Sequence, residues 1–218
     1  MKKPASDDLT PSPELRRAIR MPHAEKGQRV GLFGGSFNPP HAGHRLVSEI
    51  ALRRLELDQI WWIVTPGNPL KNHNHLAPLG QRVAQCQAMA GDPAIKITAF
   101  EFAHPTRYTA DALTLIRQNR PGVKFVWVMG ADNLGQFHHW QRWRDIADMM
   151  PIAVIDRPGS TLSSRSSVAA LALARYRIDE GDAPLLAGKK PPAWVFIHGP
   201  RSSLSSTKLR NGGKDGQE

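Results

Sequence analysis

Cysteine is almost missing from this chain: Cys86 stands alone. No internal disulfide and no cysteine-based zinc site can form, and such usage fits a reducing cytosol. No apolar run approaches the ~20 residues that a membrane-spanning helix requires. Residues 1–27 carry Asp7, Asp8 and Glu14 and have no apolar stretch of the signal-peptide kind, so no secretory signal is read. Neither G-x-G-x-x-G nor G-x-x-x-x-G-K-[ST] occurs, which removes two common phosphate-cradling fingerprints. Basic residues are plentiful, 29 Lys and Arg against 19 Asp and Glu for a net charge of +10, yet no run of five or more is present. The excess divides as +2 over residues 1–27, +4 over 28–188 and +4 over 189–218. Charge spread in this way favours anionic ligands without forming a nucleic-acid tail.

What is present is an ordinary globular balance, 218 residues with 40% hydrophobic and 22% charged, enough for one substantial domain. Pro4, Pro11, Pro13 and Pro22 punctuate an apolar-poor start, so residues 1–27 read as a flexible N-terminal extension. Residues 28–210 read as the domain and 211–218 as a short polar tail. Within the domain, apolar runs at 30–33, 60–64, 95–102, 124–129, 152–155 and 194–197 predict strands. Amphipathic stretches at 44–57, 81–89, 109–118, 140–149 and 167–176 predict helices between them, and 179–192 reads as a loop. Strands alternating with helices predict an α/β fold, a Rossmann-like doubly wound parallel sheet with helices on both faces. In such sheets ligands sit at the carboxyl ends of the strands, near the reversal of strand order.

The first strand runs into Gly34-Gly35-Ser36-Phe37-Asn38-Pro39-Pro40-His41-Ala42-Gly43-His44. Two glycines allow close backbone approach to a ligand, and the prolines stiffen a turn ahead of a helix. Helix-start amides near Gly43 and His44 would favour a phosphate. His41 and His44, three apart, can reach the same space.

This string resembles the signature of the HxGH nucleotidyltransferases, which transfer AMP or CMP from a nucleoside triphosphate. Ser205-Ser206-Thr207-Lys208-Leu209-Arg210 resembles their second signature. The intermediate strings are similar to those of the bacterial nicotinate-nucleotide adenylyltransferases: Thr65-Pro66-Gly67-Asn68-Pro69-Leu70-Lys71, Tyr108-Thr109-Ala110-Asp111-Ala112-Leu113, Met129-Gly130-Ala131-Asp132 followed by Trp140, and Arg157-Pro158-Gly159. The resemblance spans about residues 28–210. Many members have Asp where Asn38 stands, and many continue further beyond the last motif.

The resemblance implies a fold of the nucleotidyltransferase type. It also implies the reaction of ATP with nicotinate mononucleotide to give nicotinate adenine dinucleotide and pyrophosphate, a step of NAD biosynthesis, in the cytoplasm. His44 and His41 would be catalytic, His44 facing the transferring α-phosphate. Gly34, Gly35, Ser36, Phe37, His41, His44, Gly130, Asp132, Ser205, Ser206, Thr207 and Arg210 would bind ATP. Lys71, Thr109 and Trp140 would bind the mononucleotide, Lys71 at its phosphate and Trp140 by stacking on its ring. Mg²⁺ would be held mainly by the ATP phosphates and water, with no protein ligand named. No nucleic-acid or membrane partner is expected, and the sequence assigns no oligomeric state. His138 and His139 resemble a metal pair, but adjacent helical side chains diverge; like His73 and His75 they receive no role. A sister transferase acting on nicotinamide mononucleotide or phosphopantetheine is the alternative within the superfamily. A basic nucleic-acid-binding protein is the alternative outside it; it would want aromatics on a basic face, whereas Trp61, Trp62 and Trp127 fall in predicted buried strands.

Overall fold

The computed structural model describes residues 13–67, 76–104, 106, 108–156 and 166–199. Six parallel strands form one sheet in the order β3-β2-β1-β4-β5-β6. They are β1 (Arg29–Gly35), β2 (Gln59–Val64), β3 (Ile95–Thr98), β4 (Lys124–Gly130), β5 (Ile152–Ile155) and β6 (Trp194–Ile197). The helices are α1 (Pro13–Ala18), α2 (Ala42–Arg54), α3 (Leu79–Ala90), α4 (Thr109–Asn119), α5 (Ala131–Gln136), α6 (Trp143–Met149) and α7 (Val168–Ala172). Strand order therefore reverses between β1 and β4, as the doubly wound reading requires.

Alternation along the strands builds two cores. Phe33, Trp62, Val126, Val128 and Ile155 pack on one face with α2 and α3 residues such as Val47, Ile50, Val83 and Cys86. Leu32, Trp61, Trp127, Met129 and Val154 pack on the other with Leu113, Phe137, Trp143 and Ile146. Consecutive tryptophans in β2 thus enter opposite cores. The indole N–H of both is satisfied, Trp62 donating to Ser48 Oγ at 2.7 Å and Trp61 to Gln59 Oε1 at 3.0 Å. With Trp127 also buried, none of these three rings offers a surface for stacking bases.

Several predicted elements divide. The strand predicted over 95–102 stops at Thr98 and passes into a 3-10 turn, Phe100–Phe102. The helix predicted over 140–149 is only its second half; α5 and a 3-10 turn (Phe137–His139) precede it, and Arg142 stands at φ 56 before α6. The stretch 167–176 splits at Leu173 into α7 and a 3-10 turn, and the predicted loop 179–192 contains a 3-10 segment, Glu180–Gly188.

The expected flexible extension needs correction over 13–27. Leu15 and Ala18 of α1 are buried in the first core and Ala24 in the second. Thr98 Oγ1 donates to the carbonyls of Ala18 (3.1 Å) and Arg20 (3.0 Å), and Ala99 N donates to Ala18 O at 2.7 Å. Arg120 donates to Met21 O and Pro22 O, each at 3.1 Å, and Gln59 Nε2 to His23 O, also at 3.1 Å. This stretch is fastened along β3 and its flanks mainly through its backbone, which composition does not register. Residues 1–12 and 211–218 lie outside the described residues.

Candidate active site

β1 and β4 pair through Leu32↔Trp127, and each runs three residues further, to Gly35 and Gly130. The two central strands therefore end side by side at the reversal of strand order. Both glycines of the first turn have a packing reason. A Cβ on Gly34 would stand 2.7 Å from Trp127 Cη2, and one on Gly35 would stand 3.2 Å from the Phe37 ring. Phe37 itself adopts φ 46, is 1% exposed, and stacks on Trp62 at 5.0 Å between centroids. The turn is thus folded down onto the core.

At its far end His41 caps α2. Its Nδ1 accepts from Gly43 N at 3.1 Å, and His44 Nδ1 accepts from His41 N at 3.1 Å. The two rings lie 3.9 Å apart, centroid to centroid. A neutral imidazole that accepts on Nδ1 carries its proton on Nε2. Each histidine is therefore an Nε2–H donor with its ring orientation fixed by the backbone. Phe37, at 4.8 Å, and Phe33, at 5.9 Å, hold the His44 ring from the core side. The amides expected to meet a phosphate are engaged within the turn: Gly43 N on the His41 ring, His44 N on His41 O at 2.8 Å.

Across the switch point, Gly130 is buried and is itself the N-cap of α5, so Asp132, exposed, stands at the second helical position. Thr109 opens α4, whose N-cap residue Tyr108 makes no side-chain capping bond. Trp140 is half-buried, edge-on to Trp127 at 6.1 Å and to Phe137 at 5.5 Å. The two places are tied by Arg142, which pairs with Asp111 at 3.2 Å and Asp145 at 2.7 Å. Those carboxylates raise the Arg142 pKa. His138 and His139 do not diverge: their rings lie 3.8 Å apart. Among the described residues no group of three or more His, Cys, Asp or Glu could hold a metal. An open groove of about 360 Å³ lies between α4 and the stretch bearing His104 and Thr106, with Arg142 in its lining; it contains no residue of the histidine turn. Lys71, Ser205, Ser206, Thr207 and Arg210 lie outside the described residues, as do Arg157-Pro158-Gly159.

The residue that sequence reading passed over is Arg82. It is 1% exposed, in α3, and its guanidinium makes four hydrogen bonds to main-chain carbonyls. The available signal was its place on one helical stripe with Cys86 and Ala90, at i, i+4 and i+8. Burial lowers the Arg82 pKa and pushes the Cys86 thiol up to about 12, so Cys86 is an inert core residue.

Residues 32–212 match the cytidylyltransferase-like family. A protein of Mesorhizobium japonicum described as "Probable nicotinate-nucleotide adenylyltransferase" is 67% identical over 190 residues, 87% of this chain and 97% of that one. One of Agrobacterium fabrum with the same description is 64% identical over 85% of this chain and 99% of its own. The chain belongs to the nicotinate-nucleotide adenylyltransferases of the cytidylyltransferase-like family. Solved structures agree on the fold. The Plasmodium falciparum nicotinic acid mononucleotide adenylyltransferase complexed with NaAD has a TM-score of 0.61 at 20% identity, covering 84% of this chain and 83% of that one. The family expected from the motifs is thereby borne out, and with it the nucleotidyltransferase type of fold. No described helix is long and apolar enough to cross a membrane.

Proposed function

We infer that the protein transfers AMP from ATP to nicotinate mononucleotide, releasing pyrophosphate and forming nicotinate adenine dinucleotide. The observation that carries this reading is the pair of backbone-locked imidazoles at the reversal of strand order, within a chain of this family. A phosphate oxygen of the acceptor attacks the α-phosphorus in line, the bond from that phosphorus to the bridging oxygen breaks, and pyrophosphate leaves. No protein nucleophile is needed; catalysis is positioning and stabilisation of developing charge. The Nε2–H of His44 donates to an α-phosphate oxygen, and that of His41 to the neighbouring phosphates. Gly34, Gly35, Ser36 and Phe37 shape the phosphate turn, and Gly130 and Asp132 meet the adenosine. Ser205, Ser206, Thr207 and Arg210 contribute hydroxyls and a guanidinium to the triphosphate.

Lys71 neutralises the acceptor phosphate, the start of α4 at Thr109 meets the pyridine substituent, and Trp140 covers the ring. Mg²⁺ would come with ATP, carried mainly by the phosphates, and would supply charge neutralisation on the leaving pyrophosphate. A cytoplasmic location accords with ATP as donor and with a buried lone thiol.

The test is pyrophosphate release from ATP and Mg²⁺ with nicotinate mononucleotide, nicotinamide mononucleotide and phosphopantetheine in parallel. Turnover with the first well above the other two is expected. Turnover with phosphopantetheine alone would overturn the reading.

A further inference from the structure

Arg82 lies across the junction of three segments. Its Nη1 donates to Ser36 O in the turn after β1 (2.7 Å) and to Thr65 O after β2 (2.8 Å). Its Nη2 donates to Pro66 O at 3.1 Å, and its Nε to Ala77 O, just ahead of α3, at 2.8 Å. Ala77 N in turn donates to Asn38 Oδ1 at 3.1 Å, closing the arrangement onto the histidine turn. A charged side chain at 1% exposure is costly unless its donors are met. Here all four partners are carbonyls at the carboxyl ends of β1 and β2, or at the entry to α3. None belongs to β4, β5 or β6, the half whose strand ends face the adenosine in the reading above.

We propose that Arg82 is a positioning residue for the acceptor, joining the histidine turn to the exit of β2 so that the attacking phosphate meets the α-phosphorus in line. The inference rests on the adenylyl-transfer reading. The fork of a guanidinium can serve four divergent carbonyls at once; an ammonium has three donors at one point and cannot span them. Loss of the fork leaves buried carbonyls unmet, and the β1 and β2 exits shift relative to each other. Small displacements of reacting groups are expensive in rate. The adenosine contacts at the end of β4 do not run through Arg82, so of the ATP site only the phosphate turn at Ser36 shares the disturbance, and the larger effect falls on the acceptor. A merely structural residue would lower stability without separating the two substrates.

The experiment compares wild-type enzyme with Arg82→Lys and Asn38→Ala, all assayed well below their melting temperatures. In Arg82→Lys, KM for nicotinate mononucleotide should rise roughly tenfold or more with a lowered kcat, while KM for ATP rises by a clearly smaller factor. Asn38→Ala removes the Ala77 bond without touching the guanidinium and should shift the same constant in the same direction by a smaller factor. It carries the test if Arg82→Lys does not fold. Amide exchange at residues 36–38 and at Leu76 and Ala77 should quicken in the variants while exchange in β4 and β5 does not. An unchanged acceptor KM, equal rises in both KM values, or unchanged exchange overturns the proposal. Lack of turnover in wild-type enzyme sinks the adenylyl-transfer reading instead, and exchange still decides whether Arg82 joins the two exits.

Discussion

His44 Nδ1 accepts the backbone N–H of His41 at 3.1 Å, with the two rings 3.9 Å apart. One bond fixes both the tautomer of His44 and the start of α2. Substitution therefore has two separable consequences. His44→Ala should lower kcat by about two orders of magnitude or more, the scale of losing one preorganised donor. It should also destabilise the fold by about 1–2 kcal/mol, because the capping bond disappears along with the ring packed on Phe37. Pyrophosphate release and thermal melting, run on the same preparation, measure the two. A folded variant with near-normal turnover would remove His44 from the mechanism.

The docked N-terminal stretch changes what truncation should do. A chain beginning at Lys26 loses the buried Leu15, Ala18 and Ala24, and it strands Thr98 Oγ1 and the Nε and Nη2 of Arg120 without their carbonyl partners. Burial of one leucine contributes about 1.5–3 kcal/mol. A fall in melting temperature of roughly 5–10 °C is expected, with kcat at 25 °C largely kept, since none of these contacts involves the histidine turn. Melting unchanged from the full chain would show that the stretch contributes nothing to stability.

Much of this architecture is legible in the sequence, for identifiable reasons. A parallel sheet buried on both faces forces continuous apolar strands, so 60–64 and 152–155 are plain. The histidine turn is legible because its spacing couples a cap to a strand end. What escapes are features fixed by backbone carbonyls from distant segments. Arg82 reads as a surface arginine until Ser36, Thr65, Pro66 and Ala77 are brought around it. The break inside 131–149 depends on Arg142 holding φ 56 while its side chain joins Asp111 and Asp145, a pairing across 31 residues in one case. Proline content pointed away from the docked stretch because main-chain acceptors leave no compositional trace.

Glu101, in the 3-10 turn after β3, has its carboxyl pushed up to about 7 by burial. A carboxyl whose folded pKa exceeds its unfolded value of about 4.5 binds its proton more tightly in the folded state. Its contribution is therefore fully present below pH 4.5 and is lost as pH rises through about 7. The side chain is half-buried, so a loss of about 1–2 kcal/mol between pH 5 and pH 8 is expected. Glu101→Gln should flatten that part of the profile. Melting followed across this range decides it, and identical slopes for the two proteins would exclude Glu101 as the source.

The last prediction concerns choice of acceptor. Nicotinate mononucleotide carries a carboxylate where nicotinamide mononucleotide carries a neutral amide. The start of α4 has no side-chain cap on its Tyr108 N-cap, and the helix continues for 11 residues. An uncapped start presents N–H donors and the positive end of a dipole, which favour an anion. An amide placed there would set its own N–H₂ against donors. Asp111 would ordinarily weaken the attraction from within the first turn, but Arg142 pairs with it at 3.2 Å and offsets part of its charge, while also holding Asp145 at 2.7 Å. The same arginine links α4 to the loop bearing Trp140, so ring cover and substituent site move together. Charged hydrogen bonds contribute about 1.5–3 kcal/mol, so roughly 10- to 150-fold in kcat/KM should separate the two acceptors. Thr109→Ala should change that ratio little, because the backbone supplies the donors. Trp140→Ala should weaken both acceptors alike through lost stacking. Arg142→Ala leaves Asp111 uncompensated and should erode the preference for the acid by about tenfold, with the effect diminished at high salt. Measuring kcat/KM for both mononucleotides at equal ATP and Mg²⁺ tests all of this. Equal values in the wild-type enzyme, or a preference for the amide, would show that the α4 start does not read the carboxylate.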